Sequence, residues 1–288
     1  MAKFNIYEEI TNKIIEQLED GIIPWHKSWS GVTSGAYNRI SKKPYSLLNQ
    51  MLLKHNGEYA TYKQWSELGG KIKKGEKSEI VVFWKIMQTE EEVNGKMEKK
   101  SIPLLRYINV FHISQVEGVE PKTIKPIEHK PIEEAEQIKN DYVSRENIII
   151  KEIITNDAFY SPSKDYIQVP CKEQYNDIME FYSTLFHEMV HSTGHKNRLG
   201  RLDSNTKFAG FGTEEYSKEE LIAEIGSAFL MNHIGIETPK TFKNSVAYIQ
   251  SWLKVLKSDN RFIVSASGKA EKSMKYILGI DTNEIITE

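Results

Sequence analysis

The residues best suited to chemistry lie in the stretch TLFHEMVHSTGHKNRLGR, residues 184–201, where His187, Glu188 and His191 form the pattern HExxH. Two imidazoles four residues apart share one face of a helix and can bind one zinc ion. The glutamate between them can take a proton from a water molecule that the metal activates. The pattern therefore predicts a zinc metallopeptidase site with Glu188 as the catalytic base, and another divalent metal is the alternative to zinc.

A catalytic zinc needs a third protein ligand. The metzincin pattern fails because position 197 is Asn197 instead of histidine, and His195 is expected to be a capping or surface residue at the helix end. Glu220 and Glu224 lie four residues apart with a spacing typical of gluzincins, so we predict Glu220 as the ligand and Glu224 as the alternative ligand or as the partner of a histidine. A competing interpretation pairs Glu220 with Ser217 in a capping box.

Apolar spacing predicts the elements that position these residues. Residues 178–190 have the periodicity of an amphipathic helix, and Ala223, Gly226 and Ser227 would let a second helix approach it closely. A helix is predicted over residues 132–144 and two or three strands over 147–170. Residues 261–280 are expected to form a strand or turn and a short helix.

The N-terminal half has its own helix and hairpin signals. Asn5 can cap a helix whose apolar stripe repeats from Ile6 to Leu18, and Gly21 with Pro24 would end it. Residues 81–93 and 96–111 read as strands around an Asn-Gly turn, which would place Glu90 opposite Lys99. The predicted fold class is therefore α+β.

Aromatic and basic residues alternate between this helix and the hairpin, a combination typical of single-stranded DNA binding, because bases stack on aromatic faces and cations contact phosphates. The residues predicted to bind DNA are Trp25, Lys27, Trp29, Tyr37, Asn38, Arg39, Lys42, Lys43, Tyr45, Asn49, Tyr62, Lys71, Lys73 and Lys74. Core packing is the competing explanation for each aromatic residue. Trp65 and Trp84, which lie in amphipathic patterns, are expected in the core.

Charge and composition divide the chain. The formal net charge is −2, but residues 22–89 hold 11 lysines and arginines against 4 acidic residues, which favours a polyanionic partner. Three regularly spaced prolines suggest a linker, so we predict a DNA-binding domain over 1–115, a linker over 116–136 and a metallopeptidase domain over 137–288.

A single cysteine, no signal peptide and no long apolar run predict a cytoplasmic protein without a membrane partner.

Both halves resemble the ArdC-type antirestriction proteins. The likeness is carried by IYEEITNKIIEQLEDGIIPWHKSW, YNRISKKPYSLLNQMLL and YATYKQWSELGGKIKKGEKSEIVVFWK in the first half, and by FYSPSKDYIQVP, YSTLFHEMVHSTGHKNRLGR and FGTEEYSKEELIAEIGSAFL in the second. The resemblance implies an N-terminal domain that binds single-stranded DNA and a C-terminal zincin-like metallopeptidase domain. It further implies a protein of conjugative plasmids and other mobile elements that protects incoming DNA from restriction.

Three functions remain open at this level. The first is an antirestriction protein that binds single-stranded DNA and carries a zinc-dependent peptidase site, with a host protein as its target. The second is a DNA-binding protein whose metal site is structural and does not hydrolyse. The third is a cytoplasmic metallopeptidase without a nucleic-acid role. Glu188 favours chemistry, because a closed structural site needs no general base.

Overall fold

The computed structural model describes residues 5–26, 35–93, 96–122, 130–202, 213–236 and 245–280. Lys27 and Trp29, both predicted to bind DNA, and the turn at residues 94–95 lie outside the described residues. The helices are α1 Ile6–Glu19, α2 Leu47–Leu52, α3 Tyr62–Glu67, α4 Pro131–Glu146, α5 Ile178–Thr193, α6 Glu214–His233, α7 Ser245–Ser258 and α8 Phe262–Leu278. The strands are β1 Ala36–Asn38, β2 Gly57–Ala60, β3 Lys71–Ile72, β4 Glu79–Val93, β5 Lys96–His112, β6 Val116–Glu117, β7 Ile149–Ile153, β8 Phe159–Ser161 and β9 Tyr166–Pro170. Among the described residues, no helix has the length and apolar character required to cross a membrane.

The N-terminal sheet has the order β1-β2-β5-β4. Its long β4–β5 hairpin has the predicted register, with Glu90 opposite Lys99 and Val93 opposite Lys96. Only the end of β5 at Phe111 and His112 pairs with β2, so the rest of the hairpin continues beyond the sheet as a two-stranded ribbon. Part of the ribbon packs on the core through Val81, Val82 and Val110, whereas the side chains of Trp84, Ile86 and Tyr107 are exposed.

The first helix agrees with its sequence signals. The side chain of Asn5 accepts a hydrogen bond from the Tyr7 N–H at 3.1 Å and caps α1. Ile10, Ile14 and Leu18 are buried, as expected for one stripe of an amphipathic helix. The predicted helix α4 and the predicted strands before α5 are also present, the strands as a three-stranded sheet of order β7-β9-β8.

The strand or turn predicted at the start of residues 261–280 is wrong, because the single helix α8 already begins at Phe262; the predicted helix is present and longer than expected. Its apolar start, Phe262 to Val264, looks like a strand in sequence. In the structure these residues are buried together with Ala266 and Ala270 at helical spacing. Burial against the other helices therefore outweighs the strand preference of the β-branched residues.

One hydrophobic core contains residues from both halves of the chain. Ile10, Trp25 and Met51 belong to the same cluster of buried residues as Leu230 and Trp252. Polar contacts join the halves as well: the Thr11 hydroxyl donates to the Asn260 carbonyl at 2.7 Å, and the Leu47 N–H donates to Glu271 at 3.2 Å. The predicted linker, residues 116–136, begins as β6 and ends within α4, and residues 123–129 lie outside the described part.

Candidate metal centre and N-terminal surface

Helices α5 and α6 pack closely and run antiparallel. A Cβ atom at Gly226 would lie 2.9 Å from a methyl carbon of Val190, so only glycine fits without displacement. At the next residue of α6, the Ser227 hydroxyl donates to the Ser183 carbonyl at 3.0 Å. This close approach brings the histidines of α5 to the glutamates of α6.

Three side chains from these helices converge. His187, His191 and Glu220 each offer one ligand atom, and the three atoms lie within 4.8 Å of one another. The two Nε2 atoms are 3.1 Å apart. The Glu220 carboxylate lies 3.4 Å from Nε2 of His187 and 3.5 Å from Nε2 of His191. The structure thus brings together the three residues predicted as ligands.

Other carboxylates hold the opposite side of each ring. Glu224 lies 3.4 Å from Nδ1 of His187, and Glu219 lies 3.3 Å from Nδ1 of His191. Arg201 pairs with Glu219 at 2.8 Å and donates to the Val190 carbonyl at 2.8 Å. Such carboxylate partners fix the orientation and tautomer of metal-binding histidines.

The chemistry of this donor set fits a divalent cation. In a neutral imidazole, a proton held at Nδ1 by a carboxylate leaves a lone pair at Nε2. The two Nε2 atoms therefore present lone pairs to each other beside the Glu220 carboxylate, an arrangement that requires a positive charge among them. Without a metal the rings carry that charge: although burial lowers the pKa of His191, Glu219 and Glu220 outweigh it and raise this pKa to about 9.

Glu188 is buried beside the two histidines. Burial raises its pKa, and the positive charges of His191 and His187 offset part of this rise. The Tyr160 backbone also lowers this pKa, because it stabilises the charged form of the carboxylate. A carboxylate whose pKa is raised by burial is a better proton acceptor than a solvated one, which is the property a general base requires.

Two other sequence interpretations do not agree with the structure. Thr213 caps α6 by accepting from the Tyr216 N–H, so the proposed Ser217–Glu220 capping box is wrong. The Ser217 hydroxyl instead donates to the Thr213 carbonyl inside the helix. His195 was expected to be a capping or surface residue at the helix end. It is buried instead, and its Nδ1 lies 3.9 Å from Asp165.

Five of the residues predicted to bind DNA are buried in structural roles. Trp25 is 0% exposed and packs edge-on against Trp252 at 5.2 Å. The side-chain oxygen Oδ1 of Asn38 accepts from the N–H groups of Ile40 and Ser41, and the Asn49 side chain exchanges two hydrogen bonds with the Val82 backbone at 2.8 Å. Tyr37 and Tyr45 are also buried. These side chains offer no free face to a base. The burial of Trp25, Tyr37 and Tyr45 therefore contradicts the stacking role predicted for them.

The other predicted residues that the structure describes lie at or near the surface. Arg39 pairs with Glu58, which occupies its guanidinium. Tyr62 is 63% exposed. The lysines that are exposed are Lys42, Lys43, Lys71, Lys73 and Lys74.

Sequence reasoning missed an exposed aromatic surface on the ribbon. Trp84 is 42% exposed, contrary to its expected burial, and Tyr107 is 45% exposed. Because Trp84 pairs with Leu105 and Tyr107 with Val82, both aromatic residues lie on one face of the ribbon. Trp65, in contrast, is buried as predicted.

The fold and the site define a zincin-like metallopeptidase domain that follows an N-terminal α+β domain. Residues 136–269 match the family described as zincin-like metallopeptidase, and residues 4–111 match the N-terminal domain of anti-restriction factor ArdC. The chain belongs to the ArdC-type antirestriction protein family. The resemblance inferred from the sequence is thereby confirmed.

Solved structures and relatives agree with this membership. Metal-free and Mn(II)-bound crystal structures of the antirestriction ArdC protein from R388 plasmid are 30% identical, with a TM-score of 0.74; they cover 96% and 98% of this chain, which covers 100% of theirs. The uncharacterized protein y4eC of Sinorhizobium fredii (strain NBRC 101917 / NGR234) is 32% identical over 93% of this chain and 90% of its own length. Two Escherichia coli proteins named DNA primase TraC are 32% and 31% identical over 99% and 97% of this chain, which spans only 28% and 20% of their length. Family and site together indicate a divalent metal.

Proposed function

We propose that the protein is an antirestriction factor of a mobile element that binds single-stranded DNA and carries a zinc-dependent peptidase site. The observation that carries the enzymatic part is the convergence of His187, His191 and Glu220 beside the buried Glu188. A host protein is the proposed substrate of this site. Both parts act inside the cell, where incoming DNA meets restriction enzymes.

The residues divide the chemistry among them. His187, His191 and Glu220 would hold the metal, and Glu219 and Glu224 would keep the two rings in place. A divalent cation supplies Lewis-acid chemistry when bound, since it acidifies water and polarises a carbonyl group. Glu188 accepts the proton of the attacking water and later delivers it to the leaving amine.

The variant Glu188→Gln tests the enzymatic part, because it keeps the side-chain shape and removes the base. We expect unchanged metal content and a loss of cleavage of about 10²–10⁴-fold with denatured casein as the probe substrate. Metal analysis and a peptide-release assay measure the two quantities. A metal-loaded wild type that cleaves neither casein nor a broad panel of proteins would instead support a metal site without hydrolysis.

The ribbon favours single-stranded DNA as the partner of the N-terminal half. Residues 84–89 and 99–107 contain four basic residues and no acidic residue. On the same strands, Trp84 and Tyr107 expose aromatic faces to solvent. Residues 90–98 hold four glutamates and one lysine in sequence, so the contact with a polyanion is proposed for residues 84–89 and 99–107 instead.

Fluorescence anisotropy with labelled oligo(dT) tests this surface. We expect Trp84→Ala and Tyr107→Ala to weaken binding by roughly 1–3 kcal/mol each, the usual contribution of one stacked base. Phe159→Ala is the matched control, because Phe159 is 37% exposed in the C-terminal half. If both ribbon variants bind oligo(dT) as tightly as the wild type, the DNA contact would instead be assigned to Tyr62 and its neighbouring lysines. If the wild-type protein binds no oligonucleotide, the DNA-binding role would be removed.

A further inference from the structure

A histidine of the N-terminal half reaches the metal centre of the C-terminal half. Nε2 of His26 lies 3.9 Å from Oε2 of Glu224, and the other oxygen of that carboxylate, Oε1, lies 3.4 Å from Nδ1 of His187. The side chains of His26 and Glu224 are 15% and 6% exposed. The Glu224 carboxylate thus lies between two imidazole rings, one from each half of the chain.

The position of His26 is fixed by the core. It ends a 3-10 turn, Pro24–His26, in which Pro24 and Trp25 are buried. The indole of Trp25 packs edge-on against Trp252 of α7, with ring centroids 5.2 Å apart and planes at 70°. Because this packing leaves the turn little freedom, His26 is held beside Glu224 at a low cost in side-chain entropy.

A buried carboxylate needs more than one polar neighbour to keep a single orientation. Oε1 of Glu224 faces the ring of His187, and Oε2 faces the ring of His26. A neighbour at each oxygen restricts rotation of the carboxylate about its last side-chain bond. That restriction passes to the ring of His187, whose Nε2 points to Glu220 and His191.

We propose that His26 is a positioning residue of the metal centre: it orients Glu224, which in turn holds His187 in the geometry that binds the metal. The N-terminal half therefore completes the metal site, although the ligands all come from the C-terminal half. This inference rests on the metal-binding part of the proposed function and needs neither hydrolysis nor DNA binding. Because His26 contacts the ligand His187 only through Glu224, its removal should weaken metal binding less than removal of Glu224 does.

Metal affinity of the full-length protein tests the role. The dissociation constants for Zn²⁺ and Mn²⁺ are measured by competition with a chelating dye in wild type, His26→Ala and His26→Gln. We expect His26→Ala to raise both constants by about tenfold, the lower end of the 10–100-fold range for residues that touch metal ligands. His26→Gln should stay close to wild type, because its amide N–H can reach Glu224 in place of the imidazole.

The matched control is His55→Ala, which removes an exposed imidazole of the N-terminal half that packs on His112 and should leave both constants unchanged. Thermal unfolding of the metal-free variants separates positioning from packing. A wild-type metal affinity in His26→Ala would overturn the proposal. So would a His26→Gln variant that loses as much metal affinity and as much thermal stability as His26→Ala does. A wild type that binds neither metal would remove the metal site itself, and the role of His26 with it.

Discussion

Each histidine of the HExxH motif uses its two ring nitrogens differently. Nδ1 faces a carboxylate of α6, whereas Nε2 points into the space shared with the other histidine and Glu220. This difference distinguishes the two glutamates that the sequence left open. Glu220 lies near both Nε2 atoms, and Glu224 lies against Nδ1 of His187. The geometry therefore favours Glu220 as the third ligand and Glu224 as the orienting partner.

Neutral amides at the two positions should separate these roles. We expect Glu220→Gln to weaken metal binding by more than about 100-fold, because a charged ligand is lost, and Glu224→Gln to weaken it by about 10–100-fold. Zn²⁺ titrations against a chelating dye give both values. A larger loss in Glu224→Gln than in Glu220→Gln would reverse the assignment.

Proton competition should control the metal affinity. Since metals bind unprotonated imidazole and the pKa of metal-free His191 is about 9, binding below this pH must displace a proton. We expect the apparent affinity to rise with pH between 6.5 and 9, by up to about tenfold per pH unit for each proton displaced. An affinity for Zn²⁺ that stays constant over this range would contradict the raised pKa.

The metal-free protein should respond to pH in the opposite direction. Folding raises the pKa of His191 above its unfolded value of 6.5, so its ion pairs stabilise the fold fully below pH 6.5. This stabilisation is lost as the pH rises through about 9. The thermal shift caused by metal should therefore be larger at pH 9 than at pH 6.5, which unfolding scans with and without Zn²⁺ measure.

At the scale of elements, the contact between α5 and α6 sets the geometry of the metal centre. In Gly226→Ala the new methyl group would meet the buried, stiff Val190 side chain at 2.9 Å. We expect a loss of roughly 1–2 kcal/mol in the free energy of unfolding, since overpacking outweighs the gain in helix propensity, and a weaker metal affinity. Urea unfolding and metal titration measure the two effects.

Gly268→Ala is the matched control for that substitution. Gly268 lies in α8 with nothing within 4 Å of an added Cβ. Here the same change should stabilise the fold by about 0.5–1 kcal/mol, because only helix propensity and chain entropy change. Equal effects of the two substitutions would show that α5 and α6 are free to move apart.

Elements with strong local signals could be predicted from the sequence. The spacing of Ile10, Ile14 and Leu18 predicted α1, and an Asn-Gly pair between alternating residues predicted the hairpin and its register. The exposure of Trp84 could not be predicted, because alternation along a strand indicates a face but does not show whether another layer covers it. The start of α8 was taken for a strand or turn for a related reason: its helical form depends on burial against distant helices.

The same limit applies to the site at the scale of the whole molecule. His187, Glu188 and His191 could be predicted because their roles follow from spacing within one helix. Glu219, Arg201 and His26 contribute through contacts between segments distant in sequence, and no local pattern reports such contacts. Trp25 was misassigned on the same ground, since its loop-like surroundings in sequence gave no sign of Trp252.

The shared core has a consequence for unfolding that independent domains would not show. Trp25 belongs to the N-terminal half but is fully buried against helices of the C-terminal half. Removing its ring in Trp25→Ala should therefore cost about 3–5 kcal/mol, and calorimetry should show one transition shifted as a whole. Metal affinity should fall in parallel, because His26 follows Trp25 in the same turn.

Trp84→Ala removes the same side chain from an exposed position, 42% accessible on the ribbon. Its effect on unfolding should be within about 0.5 kcal/mol, as is usual for surface substitutions, so the pair of tryptophan variants separates burial in the common core from residue type. Two calorimetric unfolding transitions, with only one of them shifted in Trp25→Ala, would show that the halves fold independently. In that case the packing of Trp25 against Trp252 would contribute little to stability, and the N-terminal half could not act as a fixed part of the metal centre.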